Sequence, residues 1–228
     1  MTKISSPVAG GTLPSQSASQ PTPKPEVLRP EPRPLPPPRP GSLDKFLTPA
    51  RSERIADTQA GQLDSIRKGV VNGSVTEKEA AKLLNQQAKI AEATSRATAD
   101  GVLTAKEAAD IRRLQTQASL SVFTASHNSA HAKPSDPAVA KAQAAQIGSI
   151  AQGVRSGSLT GAEANTLLKD QAEIATDVAA AQADGEVDFV EQQAVNIRQD
   201  AASFGISQEK RDGEKAPHAK RLHFPVLY

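Results

Sequence analysis

Three carboxylates fall close together at Asp184, Asp188 and Glu191, and side chains of that type at that density are what a hard divalent cation needs. A strong calcium site gathers about six to eight oxygens, so these three are weak metal candidates at best. His127 and His131 stand four apart, the spacing that puts two imidazoles on one helical face. The Glu of a zinc-protease helix is missing after His127, where Asn128 follows, and the surrounding Ser, Asn and Pro read as a solvated linker. The sequence has no cysteine, which excludes disulfides, thiolate metal sites and thiol nucleophiles. It also lacks a nucleophile elbow and any glycine-rich phosphate loop. The expectation is therefore a non-enzyme with no catalytic residue and no cofactor.

The elements that must carry these residues follow from composition and repetition. Most of the 17 prolines lie before Ala50, with a dense run from Pro25 to Pro40. Such a segment has too few apolar side chains to offset the entropy of ordering and is predicted to be a disordered, polyproline-II-like leader over residues 1–48. The rest is rich in Ala, Gln, Leu, Ile and Val, with six aromatics (Phe46, Phe123, Phe189, Phe204, Phe224 and Tyr228) and no Trp. That suits helices with a thin aliphatic core, and modules so poor in bulk are expected to pack on each other or on a partner.

Residues 62–119 align without gaps on residues 146–203 at a constant offset of 84, with 24 of 58 positions identical. Within each copy a shorter pattern recurs, in which Gly is followed by an apolar residue, then Thr or Asp, then Glu three further on. The instances are Gly73-Val75-Thr76-Glu79, Gly101-Leu103-Thr104-Glu107, Gly157-Leu159-Thr160-Glu163 and Gly185-Val187-Asp188-Glu191. Gly suits the left-handed position after a helix, Thr or Asp the N-cap, and Glu the third helical position, where it bonds back to the cap. These junctions predict helices near 49–71, 77–98 and 105–125, and again near 137–155, 161–182 and 189–204. Thr48-Pro49 and Asp136-Pro137 are predicted to open each module. Apolar stripes agree: Ile55, Leu63, Ile66 and Val70 match Val139, Ile147, Ile150 and Val154, with Ile111, Leu114, Ala118 and Val122 on the third helix.

The fold expected is all-α: leader 1–48, helical module 49–128, linker 129–136, second module 137–206, and a basic tail 207–228 with an apolar tip. The same junctions form the back half of a calcium loop, with Gly at position six and Glu at twelve, so the chain resembles EF-hand proteins. It is also similar to a group of uncharacterised bacterial proteins built from Gly-Val-Arg-Ser-Gly-Ser-Leu-Thr and Ala-Asp-Gly-x-Leu-Thr repeats. The resemblance covers 51 to about 207 and implies a degenerate EF-hand-like helix-loop-helix pair in each module. Position one of the four loops would hold Lys68, Arg96, Gln152 and Ala180, none a carboxylate. Four capped helix junctions explain the pattern without an ion.

Net charge is +2, distributed as about +3 before Arg51, about −3 from Arg51 to Ile206 and about +2 beyond. That is no nucleic-acid-binding stripe. No apolar window is long enough for a membrane span or a Sec signal, so a cytoplasmic location, or export without a cleavable Sec signal, is expected. Phe224, Val226, Leu227 and Tyr228 at the apolar tip are the partner-binding candidates, and helical faces offer a route to a homo-oligomer. The function expected is a non-enzymatic protein-interaction or scaffolding protein of bacterial type. The alternatives are an exported effector whose leader is a type III-like secretion signal, and a weak calcium-binding protein.

Overall fold

The computed structural model describes residues 42–130, 137–183 and 188–219. They form six helices and, among the described residues, no strand: α1 (Ser42–Asn72), α2 (Glu77–Ala97), α3 (Ala105–His127), α4 (Pro137–Ser156), α5 (Gly161–Ala181) and α6 (Phe189–Glu209). The leader lies outside the described residues.

Two boundaries differ from the sequence expectation. Helix α1 starts at Ser42 and runs through Pro49, so residues 42–48 belong to the helix rather than to the leader. Proline removes one backbone donor from the helical ladder, and tertiary bonds hold the extra turns in its place. The Thr48 hydroxyl donates to Asp44 O at 2.8 Å and accepts from Leu103 N at 2.9 Å. Arg51 reaches both the Asp44 carboxylate (2.6 Å) and Leu103 O (2.7 Å). Thr48 is therefore a mid-helix link to the α2–α3 junction, not an N-cap. At the other end α6 continues to Glu209, and the tail from Lys210 to Ala219 packs on the body.

Three of the junctions close with a left-handed glycine, at Gly73, Gly101 and Gly157. After α1 and α4 the chain folds back so tightly that Val75 N donates to Gly69 O and Leu159 N to Gly153 O, both at 3.1 Å. A Cβ on Gly69 would meet Val75 Cγ2 at 2.4 Å, and one on Gly153 would meet Leu159 Cδ1 at 2.5 Å. Glycine at these two equivalent positions lets the apolar residue of the next junction lie flat on the helix it has just left.

The repeats do not stand apart. The most extensive packing joins α2 to α5 and α1 to α4, so each of these helices meets its own copy, the pattern of an isologous dimer fused into one chain. The largest apolar cluster spans both halves, with Leu63, Ile66, Leu84, Ile147, Ile150 and Leu168 fully buried. Each such side chain stabilises the fold by about 1.5–3 kcal/mol. Helices α3 and α6 reach this cluster through Val122, Ala125 and Ile206, and each also covers a small satellite core of equivalent residues: Ile55, Ile90, Ile111 and Ala118 in one half, Val139, Ile174, Val195 and Ala202 in the other. Leu114, expected in the core, is exposed, and Gln115 is buried beside it.

Candidate functional site

The residues with chemical potential are largely engaged in holding helices. At every junction the Glu carboxylate accepts from the backbone N–H of the cap residue: Glu79 from Thr76 (2.9 Å), Glu107 from Thr104 (3.0 Å), Glu163 from Thr160 (2.6 Å) and Glu191 from Asp188 (3.0 Å). Each cap side chain bonds in return to the Glu N–H, completing four capping boxes. Of the metal candidates, Asp188 and Glu191 are bonded to each other in this way, and Asp184 lies outside the described residues. His127 bonds Phe123 O at 2.9 Å and stacks on the Phe123 ring, while His131 lies outside the described residues. So do Phe224, Val226, Leu227 and Tyr228.

Sequence reading missed a network of buried glutamines. Gln62 Nε2 donates to Gln115 O (2.6 Å) and to the Ser119 hydroxyl (2.7 Å), Gln87 Nε2 donates to Gln62 Oε1 (3.0 Å), and Gln115 Nε2 donates to Ile55 O (2.8 Å). The second half repeats every one of these bonds through Gln146, Gln199, Ser203, Gln171 and Val139. The network ties the first helix of each repeat to the second and third. The signal was present as glutamines identical at the repeat offset and in register with the apolar stripe, since a polar residue there needs buried partners.

The network breaks at one place. Gln59 Nε2 donates to Gln87 O at 2.9 Å, but its counterpart Gln143 is fully buried with neither amide atom in a hydrogen bond. It faces Glu77, the first residue of α2, whose carboxyl is itself buried with Oε2 unpaired. Burial pushes the Glu77 carboxyl up to about 7, against the smaller opposing pull of the Gln143 amide. The equivalent of Glu77 is Gly161, and a Cβ there would lie 2.8 Å from both Ala91 O and Ser95 N on α2.

Among the described residues one group of acidic side chains has metal-ligand spacing: Glu163, Glu209 and Asp212, with ligand oxygens within 4.8 Å of one another. Burial, and then the hydrogen bond and charge of Asp212, raise the Glu163 carboxyl above its ordinary range, partly opposed by the bonds to Thr160. With one oxygen from each at that spacing, the group supplies three of the roughly six to eight oxygens that calcium takes.

The tail closes the end of the cleft between the halves. Ala216 N donates to Gly157 O (3.0 Å), His218 Nε2 bonds Val154 O (2.8 Å), and beneath them lies a cavity of about 30 Å³ bordered by Ser52, Gln59, Thr98 and Thr160. That is room for about two waters. A larger open groove, about 450 Å³, runs between α2 and α3 past Lys82, Gln86, Leu120 and Thr124. The four phenylalanines of the described chain all point outward: Phe46 is 80% exposed, Phe123 62%, Phe189 80% and Phe204 73%. Comparison with family models, curated proteins and solved structures gave no match to the chain. No helix of the described residues is long and apolar enough to cross a membrane.

Proposed function

We propose that this chain is a non-enzymatic protein-interaction or scaffolding protein that holds a protein partner on the outer faces of its helices. The observation that carries the reading is the inversion of polarity between surface and interior. Eight glutamines are buried, while every described phenylalanine is exposed. Aromatic side chains are costly to leave in water and are the usual anchors of protein interfaces. On α3, Leu120 (64% exposed) lines the groove beside α2, and Phe123 (62% exposed) follows one turn further along the same helix, so a helix or extended segment has an apolar footing there.

The test is affinity capture with the intact chain beside the double variant Leu120→Ser, Phe123→Ser, with bound proteins identified by cross-linking and mass spectrometry. The reading predicts a reproducible partner that the variant loses while its helical circular dichroism is unchanged. Capture that is indifferent to these residues, or substrate turnover by the pure protein, would contradict it.

A further inference from the structure

The outward face of α6 carries an apolar stripe that its copy α3 lacks. Val190, Ala194, Ile197, Ala201 and Phe204 succeed one another at intervals of four, three, four and three, the spacing of a two-helix coiled-coil seam. All five are exposed, with Val190 at 71%, Ile197 at 62% and Phe204 at 73%. At about 100° per residue the stripe lies opposite Val195, Gln199, Ala202 and Ile206, the face by which α6 is buried. The equivalent positions of α3 hold Lys106, Asp110, Arg113, Gln117 and Leu120, with Arg113 paired to Asp110. The repeat thus supplies a comparison: four of these five α3 positions are charged or polar and the fifth is Leu120, whereas all five on α6 are apolar. Of the charges flanking the α6 stripe, Arg198 pairs with Asp177 at 2.6 Å and Glu191 sits in its capping box, while Asp200 is exposed beside Ala201.

Three features choose the occupant. Large and small residues alternate along the seam, so an antiparallel second α6 sets Val190 against Ala201 and Ala194 against Ile197, in both directions at once. A parallel pair would stack Ile197 on Ile197 and leave facing alanines with voids between them. The same patch on both partners is what a closed two-fold interface requires. Finally, with Phe189 the stripe offers roughly 500 Å² of apolar surface per copy, so two copies bury about 1,000 Å², the lower bound for a specific interface. We propose that α6 pairs antiparallel with α6 of a second copy of this chain, Ile197 of each seated on Ala194 of the other. This deepens the interaction reading by naming one partner, and shares with it only the premise that exposed apolar faces are contact surfaces.

The experiment is sedimentation equilibrium of the full chain at about 100 μM, a concentration at which an interface of this size is populated. The expected mass is twice 23.9 kDa. Ile197→Glu is expected to weaken association at least tenfold with helicity retained, and Arg113→Glu at the equivalent α3 position to leave the dimer intact. Because the chain has no cysteine, oxidising a mixture of Ala194→Cys and Ile197→Cys chains reads the register, and the mixed disulfide should predominate. A monomer at that concentration, a dimer that survives Ile197→Glu or is lost on removing residues 220–228, or an excess of the Ile197→Cys homodisulfide would each overturn the pairing. A monomer that still captures a partner through Leu120 and Phe123 would sink this pairing alone and leave the interaction reading standing.

Discussion

The junctions that open α2 and α5 are copies of one motif, and they differ in what has been placed beside the same glutamate. In the first copy Asn128 donates to Glu79 at 2.5 Å; burial pushes that carboxyl up, but Thr76, Asn128 and Lys82 outweigh it and hold Glu79 below its ordinary range. In the second copy the residue equivalent to Asn128 is Asp212, and the Glu163 carboxyl is raised instead. Two residues earlier the contrast is larger, because Glu77 is a buried acid and Gly161 has no side chain at all. A capping box works by local geometry, so it survives duplication unchanged. What surrounds it depends on the other half of the molecule, and there the copies diverged.

The strongest way to break this comparison is at Gly161. Gly161→Ala places a methyl against the α2 backbone, which cannot yield as a flexible side chain can, and is expected to cost roughly 2–4 kcal/mol in urea denaturation. An unchanged midpoint would mean that α5 does not approach α2 so closely.

Glu77 offers a test of opposite sign. Its folded value, about 7, lies above its ordinary 4.5, so the native state binds the extra proton. Stability is then fully present below about 4.5 and falls as pH rises towards 7, by up to about 3 kcal/mol for this group. Glu77→Gln should stabilise the protein by about that amount at pH 8 and by little at pH 4. Equal midpoints for the two proteins at pH 8 would remove the buried Glu77 carboxyl from the account.

The smallest effect is expected from swapping the glutamate partners. Asp212→Asn should restore in the second copy the bond seen in the first and add under about 1 kcal/mol at neutral pH, the side chains being partly exposed. Since the Glu163 carboxyl is raised, the gain should fade as acid protonates it, and Asn128→Asp should lose a similar amount. Thermal melts at pH 5 and pH 8 distinguish these outcomes from a uniform effect of charge.

Much of the fold was legible because its rules are local. The N-cap residues Thr76, Thr104, Thr160 and Asp188 sit where the glycine-to-glutamate spacing puts them, and five of the six predicted helices end within two residues of the observed bounds. The start of α1 was not legible, because Thr48 and Pro49 read as a cap until Leu103 and Arg51 are brought beside them. Periodicity likewise tells which stripe of α2 is apolar but not that α5 covers it. Glutamine reads as surface in a single helix, so the buried network emerges only when three helices meet. The exposed phenylalanines invert the ordinary expectation for aromatic residues, and only burial reveals them.

The account rests on the halves facing each other through copies of the same helix. The most direct measurement is thiol cross-linking of the double variant Arg67→Cys, Gly148→Cys in the otherwise cysteine-free chain with a short bis-maleimide, since the Arg67 side chain reaches across the α1–α4 contact to within 3.1 Å of where a Cβ on Gly148 would lie. At low protein concentration the reagent should link the two thiols within most molecules, with the helical spectrum unchanged. Free thiols, or bridges formed only between molecules, would contradict the face-to-face arrangement.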